Sequence, residues 1–221
     1  MTLLHRLAPA ERWERLNRLY VHGQVRLTGC RWQAEVHSDI DAHTPYLFLQ
    51  NHINHFDHVM MYNATPHFKQ GMELERHFRY PVYGPFMKSR GTIPVRPLSK
   101  DGLKAMQARM QAELDQGHSL LAFPEGTRTL DGQVGPFRRG IFLLAIRLGV
   151  PIVPVTVTGS FALMRKGSWI IRPGQSVLVH CAAPIPTEGL GRADIPALIK
   201  RVREPMAARV AACMAAPTDR C

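Results

Sequence analysis

Residues 45–57 read PYLFLQNHINHFD. The first six, Pro45 to Gln50, are mostly apolar and predict a buried strand that runs straight into Asn51 and His52. Phe56 to Ala64 then has the pattern of a short helix. A strand that ends on polar, titratable residues and turns at once into a helix is how α/β folds present ligand-binding groups, at the carboxyl ends of their strands. His52 and Asp57 are five residues apart, which on an unbroken helix would place them on different faces. A strand-to-helix turn removes that difficulty. The carboxylate can then accept a hydrogen bond from one imidazole nitrogen, which fixes the tautomer and leaves the other nitrogen as a base.

Working outward, residues 9–21 (PAERWERLNRLYV) read as an amphipathic helix, with Trp13, Leu16 and Tyr20 on one side and Arg12, Arg15 and Arg18 on another. Val25, Leu27 and Gly29 alternate with polar residues and predict a strand. Residues 72–90 are mixed and aromatic-rich, broken by Pro81, Gly84 and Pro85, and a brief strand is expected over 92–96. Ser99 or Asp101 is a candidate cap for a helix carrying Leu103, Met106, Met110 and Leu114, which stops near Gly117. Further strands are predicted at 118–123, 151–157 and 176–181, and helices at 137–148 and 195–216, with a loop-rich stretch over 158–175. The alternation predicts a single α/β domain with a central, largely parallel or mixed sheet flanked by helices. Residues 1–22 are read as an N-terminal amphipathic helix and membrane-contact segment, and 23–221 as the folded domain.

Composition sets the class of partner. The 221 residues are 45% hydrophobic and 20% charged, as in an ordinary globular protein, but 28 Lys and Arg against 17 Asp and Glu leave a formal charge of +11. Such a surface suits polyanions. The basic residues are scattered, without the aromatic-interleaved cluster of a nucleic-acid module, so an anionic membrane surface is expected and nucleic acid is not. Cys30, Cys181, Cys213 and Cys221 form no C-x-x-C pair, so neither a disulfide framework nor a zinc knuckle is expected. His5 and Arg6 interrupt the apolar start that a signal peptide would need. The longest apolar run, Ile141 to Ile146, is far shorter than the roughly 20 residues of a membrane span. The expectation is a cytoplasmic protein held peripherally at a membrane.

Two later segments complete the pattern. Phe123-Pro124-Glu125-Gly126-Thr127-Arg128 follows a predicted strand directly. Gly126 permits close approach of a ligand, and Arg128 carries a planar donor fork that matches phosphate. Val150-Pro151-Ile152-Val153-Pro154-Val155 is a strand whose prolines predict an edge or a bulge. No G-x-S-x-G elbow occurs, which argues against a serine acyl-enzyme.

Taken together, Asn51-His52 with Asp57, then FPEGTR, then VPIVPV, with Pro81-Val82-Tyr83-Gly84 and Phe137-Arg138-Arg139-Gly140 between them, resemble the lysophosphatidic acid (1-acylglycerol-3-phosphate) acyltransferase family over roughly residues 45–185. The resemblance implies transfer of a fatty acyl group from acyl-CoA or acyl carrier protein, with no separate cofactor and no metal, onto a lysophospholipid hydroxyl. It implies His52 as the base and Asp57 as its orienting partner. It assigns the acceptor phosphate to Arg96, Glu125, Gly126, Thr127 and Arg128. Gly91-Thr92-Ile93-Pro94-Val95-Arg96-Pro97 departs from the family pattern, because the arginine stands one position early, and in a strand that turns a side chain to the other face. Arg90 and Arg139 are the substitutes, and a lyso-ornithine lipid is an alternative acceptor.

A rival of another class is a zinc metallohydrolase using His52, His55, Asp57 and His58, which look like an H-x-H-x-D-H signature. That signature needs histidine where this chain has Ile53, and it leaves FPEGTR unexplained. His55 and His58 read more simply as packed or solvated imidazoles.

Overall fold

The computed structural model describes residues 13–95 and 100–216. Seven strands form one sheet: β1 Arg31–Val36, β2 Leu47–Gln50, β3 Lys69–Leu74, β4 Ile93–Val95, β5 Ser119–Ala122, β6 Ile152–Thr158 and β7 Ser176–Cys181. Their order is β1-β7-β6-β2-β5-β3-β4, and every neighbouring pair is parallel except the antiparallel β6–β7. The helices are α1 Glu14–Leu27, α2 Asp57–Tyr62, α3 Tyr83–Ser89, α4 Lys100–Leu114, α5 Arg139–Leu148, α6 Ser160–Leu163 and α7 Ile195–Ala215. The fold is the α/β sandwich expected from the alternation.

Side-chain alternation along the central strands builds two cores. Leu47 and Leu49 of β2, with Leu120 and Ile152, pack against Met106 and Met110 of α4, Phe142 and Leu144 of α5, and Leu198, Val202 and Met206 of α7. Tyr46 and Phe48, with Val153, Val155 and Val157, meet Val21 and Val25 of α1 and Val59, Met60 and Met61 of α2. All four β2 residues are buried, the mark of a strand covered on both faces.

Three local expectations need correction. The strand expected around Val25 to Gly29 is helix: α1 continues to Leu27, because Val21 and Val25 at i, i+4 spacing dock in the core, and the strand begins at Arg31. The expected boundary between residues 22 and 23 falls within α1. Its Arg18 donates to the carbonyls of Thr65 and Pro66, while Leu19 is left 68% exposed. Residues 1–12 lie outside the described residues.

The prolines of VPIVPV do not mark an edge, since β6 is interior, flanked by β7 and β2. The bulge half of that expectation holds. The β6–β7 pairing steps from Ile152↔Ile185 to Val155↔Cys181, so residues 153–154 face 182–184. Pro154 accepts from the Ala182 N–H, so its missing donor faces the same side, at the break in the ladder.

Cysteine is the third case. Cys30 and Cys181 are free thiols, but Cys213 near the end of α7 is disulfide-bonded, which the spacing gave no reason to expect.

One buried cation holds the turn after α2. Lys69 at the start of β3 is 1% exposed, and its ammonium donates to the carbonyls of Tyr62, Thr65 and His67 at 3.1, 3.1 and 2.9 Å. The Tyr62 carbonyl ends α2, where the helix dipole favours positive charge, and those of Thr65 and His67 belong to the turn that follows. Burial, reinforced by Arg18, pulls the Lys69 pKa down to about 7 from 10.5. The folded chain therefore releases this proton at lower pH than the unfolded chain does, and stability rises as the pH goes from about 7 towards 10.5. Lys69→Met should cost at least about 2 kcal/mol at pH 7 by orphaning buried carbonyls, and should lose that pH slope. Urea unfolding of both proteins at several pH values checks it.

Candidate active site

The carboxyl ends of β6, β2 and β5 are adjacent because those strands are neighbours and parallel. Each runs into one of the segments singled out above. β2 ends at Gln50 and passes into Asn51 to Asp57, and β5 ends at Ala122 and passes into Phe123 to Arg128. β6 ends at Thr158, before Gly159. Gly159 must be glycine, since a Cβ there would lie 1.9 Å from the Ser176 carbonyl oxygen.

The turn after β2 is built on buried amides. Asn51 pairs with the backbone of Val157 through both side-chain atoms, at 3.0 and 2.7 Å, so that one side chain continues the sheet where the strand itself stops. Asn54 donates to the Ser160 carbonyl at 2.8 Å and accepts from the Phe56 N–H at 2.8 Å. Gln50 donates to the Asp57 carbonyl at 3.0 Å. The spacing in the sequence pointed to His52 and Asp57 but passed over these three, which reach partners more than 100 residues away in two of the cases.

Asp57 is wholly buried. One of its oxygens, Oδ2, accepts from His52 Nδ1 at 2.8 Å, the Ile53 N–H at 2.5 Å and the Asn54 N–H at 2.9 Å. The Nδ1 proton faces this carboxylate, which leaves Nε2 as the imidazole's lone-pair nitrogen. The ring also stacks on Phe123, with centroids 4.0 Å apart and planes 18° apart, so its orientation is held from two directions. The His52 side chain is 23% exposed against none for Asp57. The imidazole is open to solvent and its carboxylate partner is not.

Glu125 joins the two segments. Oε1 accepts the His52 N–H at 2.8 Å and Oε2 the Gly135 N–H at 2.9 Å. The Thr129 N–H in turn donates to the His52 carbonyl at 2.8 Å. Burial pushes the Glu125 carboxyl above its usual range. The expectation that Glu125 helps hold an acceptor phosphate therefore meets a physical obstacle: it is an acceptor facing inward, both its oxygens are engaged with backbone, and a phosphate needs donors. Its place is beneath the site, fixing where His52 sits.

The cationic side chains are elsewhere on the same loop. Arg128 bonds His55 Nε2 through Nη1 at 2.8 Å, and burial together with that guanidinium lowers the His55 pKa, keeping the ring a neutral acceptor. Gly126 and Thr127 are exposed. Gly126 has φ +69, and a Cβ there would lie 2.5 Å from Nε of Arg138, so the glycine lets that guanidinium lie against the turn. Lys166 donates to the Arg128 carbonyl at 2.8 Å and to Thr127 Oγ1 at 3.0 Å. It comes from the stretch read only as loop, where no periodicity signals a side chain's direction.

Of the substitutes for the displaced arginine, Arg90 lies with its guanidinium over the Tyr62 ring of α2 at 5.3 Å. Arg139 borders a cleft with Leu103, Leu143 and Ile195, in the α4/α5/α7 layer. Arg96 lies outside the described residues.

The metallohydrolase reading does not fit this arrangement. His55 is turned to Arg128, and among the described residues no three His, Cys, Asp or Glu side chains converge as metal ligands.

Comparison with known proteins identifies a family and a shared fold. The acyltransferase family model matches residues 31–158. A chloroplastic 1-acyl-sn-glycerol-3-phosphate acyltransferase from Brassica napus is 32% identical over 139 residues, 62% of this chain and 40% of that one. The human 1-acyl-sn-glycerol-3-phosphate acyltransferase alpha is 39% identical over 111 residues, 50% of this chain and 39% of that one. The chain thus spans about two-fifths of the length of the curated relatives it matches. The crystal structure of the 1-acyl-sn-glycerophosphate (LPA) acyltransferase PlsC from Thermotoga maritima shares the fold, with a TM-score of 0.76 at 20% identity, covering 92% of this chain and 80% of that one.

Glu125→Gln should leave one backbone N–H facing an amide N–H₂, and lower stability by about 1–3 kcal/mol. Thermal unfolding measures the loss, and a shift in the His52 imidazole NMR signals reports its displacement.

Proposed function

The chain belongs to the acyltransferase family, and on that premise we propose that it moves a fatty acyl group from a thioester donor, acyl-CoA or acyl carrier protein, onto the free hydroxyl of a lysophospholipid. The acceptor that best suits the site is 1-acylglycerol-3-phosphate, which would become phosphatidic acid. One observation carries the reading: a half-open imidazole whose Nδ1 is held by a buried carboxylate, with an arginine-bearing turn beside it.

In the proposed reaction Nε2 of His52 accepts the proton of the acceptor hydroxyl as that oxygen attacks the thioester carbonyl carbon. Asp57 stabilises the imidazolium that forms. The tetrahedral intermediate collapses with formation of the ester C–O bond and cleavage of the C–S bond. The thiolate leaves and takes the proton back from Nε2, so the free thiol is released and the base restored. Arg128 holds the acceptor phosphate in bidentate fashion and so fixes the nucleophile, which is worth more to the rate than binding alone. The formal charge of +11 suits both the acidic donors and an anionic membrane surface from which the acceptor comes. Among the described residues no helix is long and apolar enough to cross a membrane.

The deciding experiment is a thiol-release assay over lysophosphatidic acid, glycerol 3-phosphate and a lyso-ornithine lipid, with both donor types. Turnover with lysophosphatidic acid is expected. Thiol release that never depends on an acceptor hydroxyl would end the proposal. His52→Ala should lower kcat by about 10²–10⁴-fold with the fold retained, the usual contribution of a positioned base; near-normal turnover removes His52 from the chemistry. Arg128→Ala should raise the acceptor KM by about 10- to 100-fold, the size of a lost charge-assisted hydrogen bond, while donor KM stays unchanged.

A further inference from the structure

The stretch between α6 and β7 is closed into a loop at its base, where the Arg172 N–H donates to the Leu163 carbonyl at 2.9 Å. Its tip is turned by Gly167 and by the Ser168 N–H to Arg165 carbonyl bond, and Ser168 Oγ accepts the Ile170 N–H. What the loop displays is unusual for a surface. Trp169 is 87% exposed, Ile170 62% and Ile171 41%, three consecutive large apolar side chains facing water. Isolated exposed apolar residues need no explanation, but a contiguous group does. Exposed cations bracket it, with Arg165 before and Arg172 after.

The loop is also fastened to the site at two points. The Trp169 ring lies parallel to His55, with centroids 5.9 Å and planes 13° apart. Lys166 bonds Arg128 and Thr127 of the FPEGTR turn. An apolar tip ringed by cations and joined to the segments that carry His52 and Arg128 has the make-up of an interfacial element: tryptophan and isoleucine for the acyl-chain boundary, arginine for headgroup phosphates.

We propose that the loop Met164–Arg172 docks the enzyme on a bilayer containing anionic phospholipid, inserting Trp169, Ile170 and Ile171 so that acceptor lipid reaches His52 without leaving the membrane surface. This assigns a docking face to the rim of the site, besides the N-terminal helix expected from the sequence. The assignment deepens the acyltransferase reading and rests on it for the passage of lipid to His52, while the docking itself is measured without turnover.

The test uses the full chain with vesicles of phosphatidylcholine alone or mixed with phosphatidylglycerol, some carrying brominated acyl chains. The difference between wild type and Trp169→Phe isolates the Trp169 emission, which brominated chains in the mixed vesicles should quench. Ile170→Ser with Ile171→Ser should weaken partition to mixed vesicles by roughly tenfold or more. Pure phosphatidylcholine should bind the wild type roughly tenfold more weakly than the mixed vesicles do. Transfer to a short-chain acceptor dispersed as monomers should be unchanged in the double variant. Circular dichroism confirms its fold, and the quenching comparison stands even if the variant does not fold.

Undiminished vesicle binding by the folded double variant overturns the proposal, as does a Trp169 that brominated chains do not quench. A Trp169 already shielded from aqueous iodide in the protein alone, covered by the chain's own N-terminal residues or by a second copy, overturns it too. If quenching holds but no acceptor is acylated, the docking face stands and the acyltransferase reading falls.

Discussion

A carboxylate with no exposure to solvent is the constraint on which this site rests. Asp57 Oδ2 gathers a ring nitrogen and two backbone N–H groups, and an ionised carboxylate can be kept inside a protein only by such compensation. The same bonds shape the segment between Gln50 and α2. Ile53 and Asn54 must direct their N–H groups inward at the acid, which forces the chain to turn there, and the turn holds His52 at the rim. Removing the acid would therefore unmake a backbone conformation as well as a side-chain pair.

Around that carboxylate the structure uses polar side chains to do what strands cannot do once they end. Asn51 bonds the backbone of Val157, Asn54 that of Ser160, and Glu125 those of His52 and Gly135. Each ties one loop to another across strands whose order, β6-β2-β5, makes their carboxyl ends neighbours. The network is not fully satisfied, since Asp57 Oδ1 and Gln50 Oε1 are buried without a hydrogen-bond partner, but the bonds that are made hold each loop against the next. Fixed positions are what the proposed acyl transfer between two bound reactants requires, since misplacing a base by about 1 Å can cost around 10²-fold.

The outer part of the site is built differently. Arg128, Lys166, Arg138 and the Trp169 loop meet through exposed or half-buried side chains, with stacking and single hydrogen bonds in place of a sealed network. A fixed imidazole beneath an adaptable basic rim suits the proposed reaction, in which the chemistry is constant while a lipid slides in. The rim's exposed apolar residues oppose stability in water and make physical sense only against something apolar.

Much of this was legible in residue order alone. The alternation of apolar runs placed five of the seven strands near their positions, β1 and β3 being the ones missed, since Arg31–Val36 is half exposed and Lys69–Leu74 begins with a buried lysine. The pairing of His52 with Asp57 was legible too, because both lie within one turn and local geometry decides it. What the order of residues could not supply was anything reaching across the sheet. It could not show that Glu125 faces the His52 backbone instead of a ligand, that Pro154 sits at an interior bulge, or that a loop 40 residues beyond FPEGTR returns to touch it. Those outcomes depend on which strands become neighbours, and that is settled by the packing of two helix layers on one sheet, a property of the whole chain and of no single segment.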